Sequence, residues 1–170
     1  SPRSPSRSGA GEGCHVLCET PPAPDLEGLR GLWSRVADRA ELVQVGEQYH
    51  RMPGHAARLA VIRSGAVGTP NSAEIASTHM YHAVALIRAY LGVGAIRATV
   101  NAREFTAPMM NPRQVEGWDD PARLSDLKTT IATIDFGEGR YGLYNFVDNQ
   151  WWNPLLSRRA AVRGTLGEIV

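Results

Sequence analysis

Two histidines three residues apart, His79 and His82, are the pair in this sequence best spaced to do chemistry. Residues three apart on a helix share a face, and an imidazole gains or loses its proton near neutral pH. Either ring can therefore act as a general acid or base without a tuned pKa. The same pair can ligate a metal ion, with His50 and His55 as extra donors. No carboxylate or cysteine stands at a matching spacing, so the metal expected here is none. The structural alternative is a satisfied histidine at a helix start. Arg113 and Trp118 carry a second chemistry: a guanidinium offers several donors and an indole covers the apolar face of a sugar ring. Surface decoration is the alternative for Arg113. Cys14 and Cys18 are four apart, wrong for a Cys-x-x-Cys knuckle. Four residues of strand span roughly 13 Å, beyond the reach of a disulfide, so both are expected to be reduced thiols.

The elements that must position these groups can be read from periodicity. Leu26, Leu29, Trp33, Val36 and Ala37 recur at three and four, predicting a helix within 24–40, capped by Asp25. It lies between strands at 14–18 and 42–46. Pro53 opens a second helix that ends before Gly65. A strand is expected over 71–78 and a helix over 79–91, closed by Gly92, with Ala83, Val84, Ile87, Tyr90 and Leu91 buried. Thereafter the pattern is β: a strand at 96–105, a hairpin of 129–136 and 141–148, and a last pair at 160–163 and 168–170. Residues 106–121 lack periodicity and are expected to be a lid or interface segment. Lys128, the only lysine, is expected to be an exposed strand-end charge remote from any site. Adjacent Trp151 and Trp152 in an extended segment would face opposite ways, and Tyr144, Phe146 and Trp152 would share the open face of the sheet.

The chain has 170 residues, 43% of them hydrophobic, enough for a sizeable core. A formal net charge of +1 gives no field to draw in nucleic acid or a membrane surface. No apolar run is long enough to cross a bilayer, and with two reduced cysteines the expected compartment is the cytoplasm. The segment 1–13 is too polar to fold and is expected to be a disordered tail.

Several segments, in order, resemble the Gfo/Idh/MocA family of NAD(P)-dependent sugar and polyol oxidoreductases. Cys14-His15-Val16-Leu17-Cys18-Glu19-Thr20-Pro21 is similar to the strand that ends there in Glu-Lys-Pro, with Thr20 at the lysine position. Gly46-Glu47-Gln48-Tyr49-His50-Arg51-Met52-Pro53 resembles the following strand exit. Ile62-Arg63-Ser64-Gly65-Ala66-Val67-Gly68 resembles a helix end and turn. His82 to Gly92 is similar to the helix that carries the catalytic histidine, although Thr78 and Ala85 stand where that pattern has aspartates. Val162-Arg163-Gly164-Thr165-Leu166-Gly167 is similar to the closing strand turn.

The resemblance implies hydride transfer from a substrate CH–OH to NAD or NADP. It implies His82 and Thr20 as catalytic residues, Glu19, Thr20 and Gln48 as cofactor contacts, and His79, Arg113 and Trp118 as contacts to a carbohydrate-like substrate. It also implies a homo-oligomer joined through an open sheet face. The Gly-x-Gly-x-x-Gly turn of the family has no counterpart after any strand, so the sequence is expected to be a C-terminal portion, truncated upstream. The fold class expected is α+β, a mainly antiparallel open sheet with helices on one face, preceded by a Rossmann-type remnant. The domains expected are a tail at 1–13, the remnant at 14–52 and a substrate or oligomerisation domain at 53–170. Two rival readings stand beside it: a non-catalytic oligomerisation or ligand-binding domain, and a metal-dependent enzyme built on His79 and His82.

Overall fold

The structure, a computed structural model, describes residues 13–114 and 116–170. The tail expected over 1–13 lies outside the described residues except for Gly13. The chain divides into two compact units, Ser1–Gln48 and Tyr49–Val170.

In the first unit a strand β1 (Val16–Cys18) leads to helix α1 (Leu26–Val36), a 3₁₀ segment (Ala37–Leu42) and strand β2 (Val43–Val45). The two strands are parallel, with Val16 opposite Val43 and Cys18 opposite Val45. Parallel strands need a crossover, and α1 supplies it. Asp25 caps α1 as its sequence suggests: its carboxylate accepts the Gly28 N–H at 2.7 Å. The apolar stripe of α1 stays at the surface of this unit, with Leu26 and Trp33 exposed.

The second unit opens with a 3₁₀ turn (Tyr49–Arg51) and helix α2 (Pro53–Arg63), with Pro53 in its first turn. Strand β3 (Pro70–Ala76) and helix α3 (Met80–Leu91) follow. Gly92, at φ 65°, ends α3 in the left-handed conformation that glycine adopts without strain. Strands β4 (Thr99–Arg113), β5 (Trp118–Asp135), β6 (Tyr141–Val147), β7 (Arg159–Gly164) and β8 (Gly167–Ile169) complete the unit. With β3 they form one six-stranded sheet in the order β4-β5-β6-β3-β7-β8. Every neighbouring pair is antiparallel except β3 with β6. The fold class is therefore α+β with a mainly antiparallel sheet.

Helix α3 covers the centre of this sheet. Its buried residues are His82, Ala83, Leu86, Ile87, Tyr90 and Leu91. All of these but His82 meet Ala73 and Ile75 of β3, Tyr144 of β6 and Val162 of β7 in one core. Strand β5 alternates cleanly there: Ala132, Ile134 and Phe136 are buried while Ile131, Thr133 and Asp135 are exposed. The helix comes close to the sheet because Gly142 has no side chain; a Cβ there would lie 2.6 Å from Cγ2 of Ile87.

Three expectations are corrected. Residues 106–121 are not a lid. The strand expected to stop at 105 runs on to Arg113, and β5 begins at Trp118, far ahead of 129. The two pair as one long ribbon from Thr99 opposite Asp135 to Arg113 opposite Trp118. Pro108 and Pro112 hid it from pattern reading, yet β4 is an edge strand, where a missing N–H costs no ladder bond. Nor is the pair Trp151-Trp152 extended; it sits in turns. The parity of Tyr144 and Phe146 is not the open face either. Both are buried on the α3 side, and Leu143 and Asn145 take the open side.

Gly164 tests the turn that closes β7 onto the β3 entry. A Cβ there would collide with the carbonyl oxygen of Val67 and lie 3.0 Å from that of Thr69. Backbone atoms cannot rotate aside, so Gly164→Ala is expected to cost about 2–3 kcal/mol and to lower the melting temperature by roughly 5–10 °C in calorimetry. A wild-type melting curve would refute this packing.

Candidate active site

The site is built where β3 hands over to α3. Strand β3 stops at Ala76, and Ser77 and Thr78 are buried beyond it. His79 is extended and precedes the helix without a side-chain cap. Met80 then takes a φ of 33°, in the left-handed region where a side chain is strained. What holds it is a bond from another element: the Met80 N–H donates to the hydroxyl of Tyr144 on β6, 3.0 Å away. That hydroxyl fills the place a capping side chain would take. Burial, chiefly, raises the Tyr144 pKa, so it remains a neutral phenol.

One turn on, His82 is buried within a group of rings. Its centroid lies 4.3 Å from Tyr49, 4.4 Å from Tyr81 and 5.1 Å, edge-on, from His79. Trp151 lies 5.4 Å from Tyr49, and its indole N–H donates to Nδ1 of His79 at 3.1 Å. An indole nitrogen can only donate, so Nδ1 of His79 is the acceptor and a neutral His79 carries its proton on Nε2. His79 and His82 are thus together, as their spacing implied.

Trp151 is placed by the segment after β6. The Gln150 carboxamide oxygen accepts the Val147 N–H at 3.1 Å, and its nitrogen donates to the carbonyls of Ala76 and Ser157, each at 2.8 Å. Asn153 does a similar job nearby, donating to the Met110 carbonyl at 2.9 Å and accepting the Leu155 N–H at 3.0 Å.

A cavity of about 430 Å³ opens beside this cluster, lined among others by His79, Lys128, Thr130, Tyr144, Asp148 and Trp151. It is of the size that takes a small metabolite. Trp152 lines it too, so the two adjacent tryptophans face one space rather than opposite ones. Lys128 is not remote: it stands on the cavity wall, 3.0 Å from the Glu104 carboxylate, whose hydrogen bond and charge raise its pKa. A second cavity of about 170 Å³ is lined by Tyr49, His55, Arg58, Ser77, Trp151, Arg158 and others. His82 lines neither of these two spaces; it sits behind Tyr49 and His79, which do.

The other candidates fall into two groups. Arg113 and Trp118 lie together at the tip of the β4–β5 ribbon, the guanidinium 5.6 Å from the ring centroid. Neither is among the residues lining the two cavities, although neighbouring Gln114 accepts a bond from Asn149 at the rim of the larger, at 3.4 Å. Glu19, Thr20 and Gln48 belong to the first unit. The Thr20 N–H faces the Glu19 carboxylate at 3.4 Å just past β1, and Gln48 is exposed just past β2. Both positions follow the carboxyl ends of parallel strands, the edge at which open α/β sheets take ligands. No phosphate-cradling Gly-rich turn occurs among the described residues. Among those residues, too, no group of three or more His, Cys, Asp or Glu is placed to hold a metal ion. Sequence reasoning missed Tyr49, Tyr144, Lys128 and Gln150. The polar run Asp148-Asn149-Gln150 between a strand and a tryptophan pair was the available sign of a tied-down turn.

Two outcomes follow from this geometry. Tyr144→Phe keeps the packed ring and removes the acceptor for Met80, so it is expected to cost about 1–2 kcal/mol in denaturant unfolding; an unchanged midpoint would show that the bond carries nothing. His55 lies 2.6 Å from the Tyr90 hydroxyl, and burial first, then the Arg58 charge, lowers its pKa below 6.5. Burial likewise pushes Tyr90 up to about 12. A histidine held neutral in the fold contributes stability that is whole above its unfolded pKa and is lost as pH falls below it. Melting temperature should therefore drop as pH falls from about 6.5 towards 5, and His55→Gln should flatten that slope. An equally steep slope in the variant would assign the effect to another group.

No family model matches the chain, and no curated protein does. Solved structures do. An oxidoreductase from Agrobacterium radiobacter in complex with NAD+, L-tartaric acid and magnesium matches 94% of this chain and 49% of its own, at 18% identity and a TM-score of 0.66. For the myo-inositol dehydrogenase from Lactobacillus casei, in complex with NAD(H) and myo-inositol, the figures are 94%, 48%, 17% and 0.64. For that from Corynebacterium glutamicum they are 94%, 50%, 19% and 0.63. The chain thus spans about half the length of the solved structures it matches. At these identities the likeness is one of fold: the chain has the fold of the C-terminal portion of Gfo/Idh/MocA-type oxidoreductases.

Proposed function

We propose that the protein is an NAD(P)-dependent oxidoreductase of the Gfo/Idh/MocA type that acts on a sugar, polyol or related hydroxy compound. The observation that carries this reading is the setting of His82 in the first turn of α3, among Tyr49, His79 and Tyr81, within a fold shared with enzymes solved with NAD(H) and myo-inositol.

The chemistry a nicotinamide supplies is acceptance of a hydride from a substrate carbon. In this reading His82 takes the hydroxyl proton from that carbon's oxygen, since an imidazole needs no help to be a base near neutrality. His79 binds a substrate hydroxyl, with its tautomer fixed by the Trp151 N–H. Thr20 offers a hydroxyl where cofactor and substrate meet, Glu19 shapes the end of β1, and Gln48 contacts the cofactor. Arg113 and Trp118 form a stacked pair that receives a polyhydroxylated ligand. The open side of the sheet, which exposes Ile131 and Phe105, joins copies of the chain, and the setting is the cytoplasm.

A second reading, a non-catalytic domain that binds a ligand or mediates assembly, is favoured by Thr20, which supplies no charge where the resembling pattern has lysine. Reduction of NAD and NADP by the full-length protein, followed at 340 nm with myo-inositol and a panel of polyols, separates the two. Turnover is expected, with His82→Asn lowering kcat/KM by about 10²–10⁴-fold. No turnover with any substrate, or equal rates in the variant, would leave the binding-domain reading.

A further inference from the structure

We propose that the smaller cavity of the second unit is an oxyanion site that takes the phosphate or carboxylate group of a small ligand. It occupies about 170 Å³ and receives three arginines, Arg58 from α2 and Arg158 and Arg159 from the entry of β7, while no carboxylate lines it. Three like charges around one small space repel one another unless an anion lies among them.

Each guanidinium is already oriented. Arg58 donates to the Gly54 carbonyl at 3.2 Å, Arg158 to the Trp151 carbonyl at 2.6 Å, and Arg159 to the Ser157 hydroxyl at 2.6 Å. Arg158 also lies 5.5 Å from the Trp151 ring centroid. A guanidinium has five donors in a fixed fork, so each retains N–H groups for a second acceptor.

An independent sign comes from Ser77, which lines the same cavity. Its residue is only 8% exposed, and its hydroxyl has no hydrogen-bond partner. Nε of Arg58 is buried without a hydrogen bond as well, although the Tyr90 hydroxyl lies beside the same guanidinium. Roughly 90% or more of buried polar groups in folded proteins are hydrogen-bonded, and of the orphans among the described residues Ser77 and Arg58 line this cavity while Thr78 and Asn111 do not. Two orphaned donors on two residues of one cationic cavity point to an acceptor shared between them, and an oxyanion has the lone pairs for both. His55, whose pKa burial and Arg58 lower, completes the wall as a neutral ring.

The proposal does not rest on the redox reading; a non-catalytic domain would bind the same anion. Isothermal titration of the chain at pH 7.5 tests it with sodium phosphate in one arm, sodium acetate in a second and sodium chloride of equal ionic strength as control. Saturable one-to-one binding of phosphate or acetate is expected, absent with chloride, and the tighter anion names the ligand's acidic group. Arg159→Gln, an exposed position whose loss leaves the core intact, is expected to weaken binding at least tenfold. Ser77→Ala, which removes only the hydroxyl, should weaken it severalfold. Heats no larger than those of chloride in both arms, or wild-type affinity in either variant, would overturn the proposal.

Discussion

One buried carboxamide ties together the part of this molecule that can do chemistry. Gln150 spends its oxygen on the N–H at the end of β6 and its two hydrogens on carbonyls at the end of β3 and just before β7. Those three strands are neighbours at the centre of the sheet. Their ends would otherwise present unpaired backbone groups in a buried place, at a cost of about 1–3 kcal/mol for each. A single side chain satisfies all three, and in doing so fixes the next residue, Trp151. The Trp151 indole N–H in turn donates to Nδ1 of His79. Trp151 also lines both cavities. The clamp that closes the sheet is therefore the same device that sets the histidine tautomer and places the one wall residue the two cavities share.

The helix start is held with similar economy. A non-glycine residue at φ 33° costs free energy of order 1 kcal/mol or more, and it persists where surrounding contacts over-determine it. Tyr144 supplies that determination, because its hydroxyl accepts the Met80 N–H while its ring stacks nearly parallel to Phe146, with 14° between planes. The gain is geometric. After this turn the rings of His79 and His82 meet edge-on at 5.1 Å.

How much of this could be read beforehand depended on range along the chain. Helix α3 was legible from its three-and-four spacing and from Gly92, and His82 was legible with it, because both signals are local. The β5–β6 hairpin was legible for the same reason, through Gly137-Glu138-Gly139. The ribbon of β4 and β5 was not. Much of β4 is exposed on both faces, so it carries no two-residue alternation, and Pro108 and Pro112 read as loop residues although an edge strand tolerates them. Lys128 and Tyr144 were given the wrong setting, and Gln150 none, because their partners lie far off in sequence: Tyr144 meets Met80 across 64 positions and Gln150 meets Ala76 across 74. Nothing local marks such residues; only the strand order brings them to one end of the sheet.

That strand order also distributes charge between the two cavities in a way that composition conceals. A net charge of +1 is bland for the whole chain. Locally it is not. The larger cavity sets Lys128 against Glu104 at 3.0 Å, with Asp148 on the same wall, so one cation meets two carboxylates, and its other polar groups are neutral rings, hydroxyls and the Asn149 carboxamide. The smaller cavity holds three guanidinium groups and no carboxylate. Only the Trp151 indole is common to both walls, so one side chain divides a lining that carries both signs of charge from one that carries cations alone.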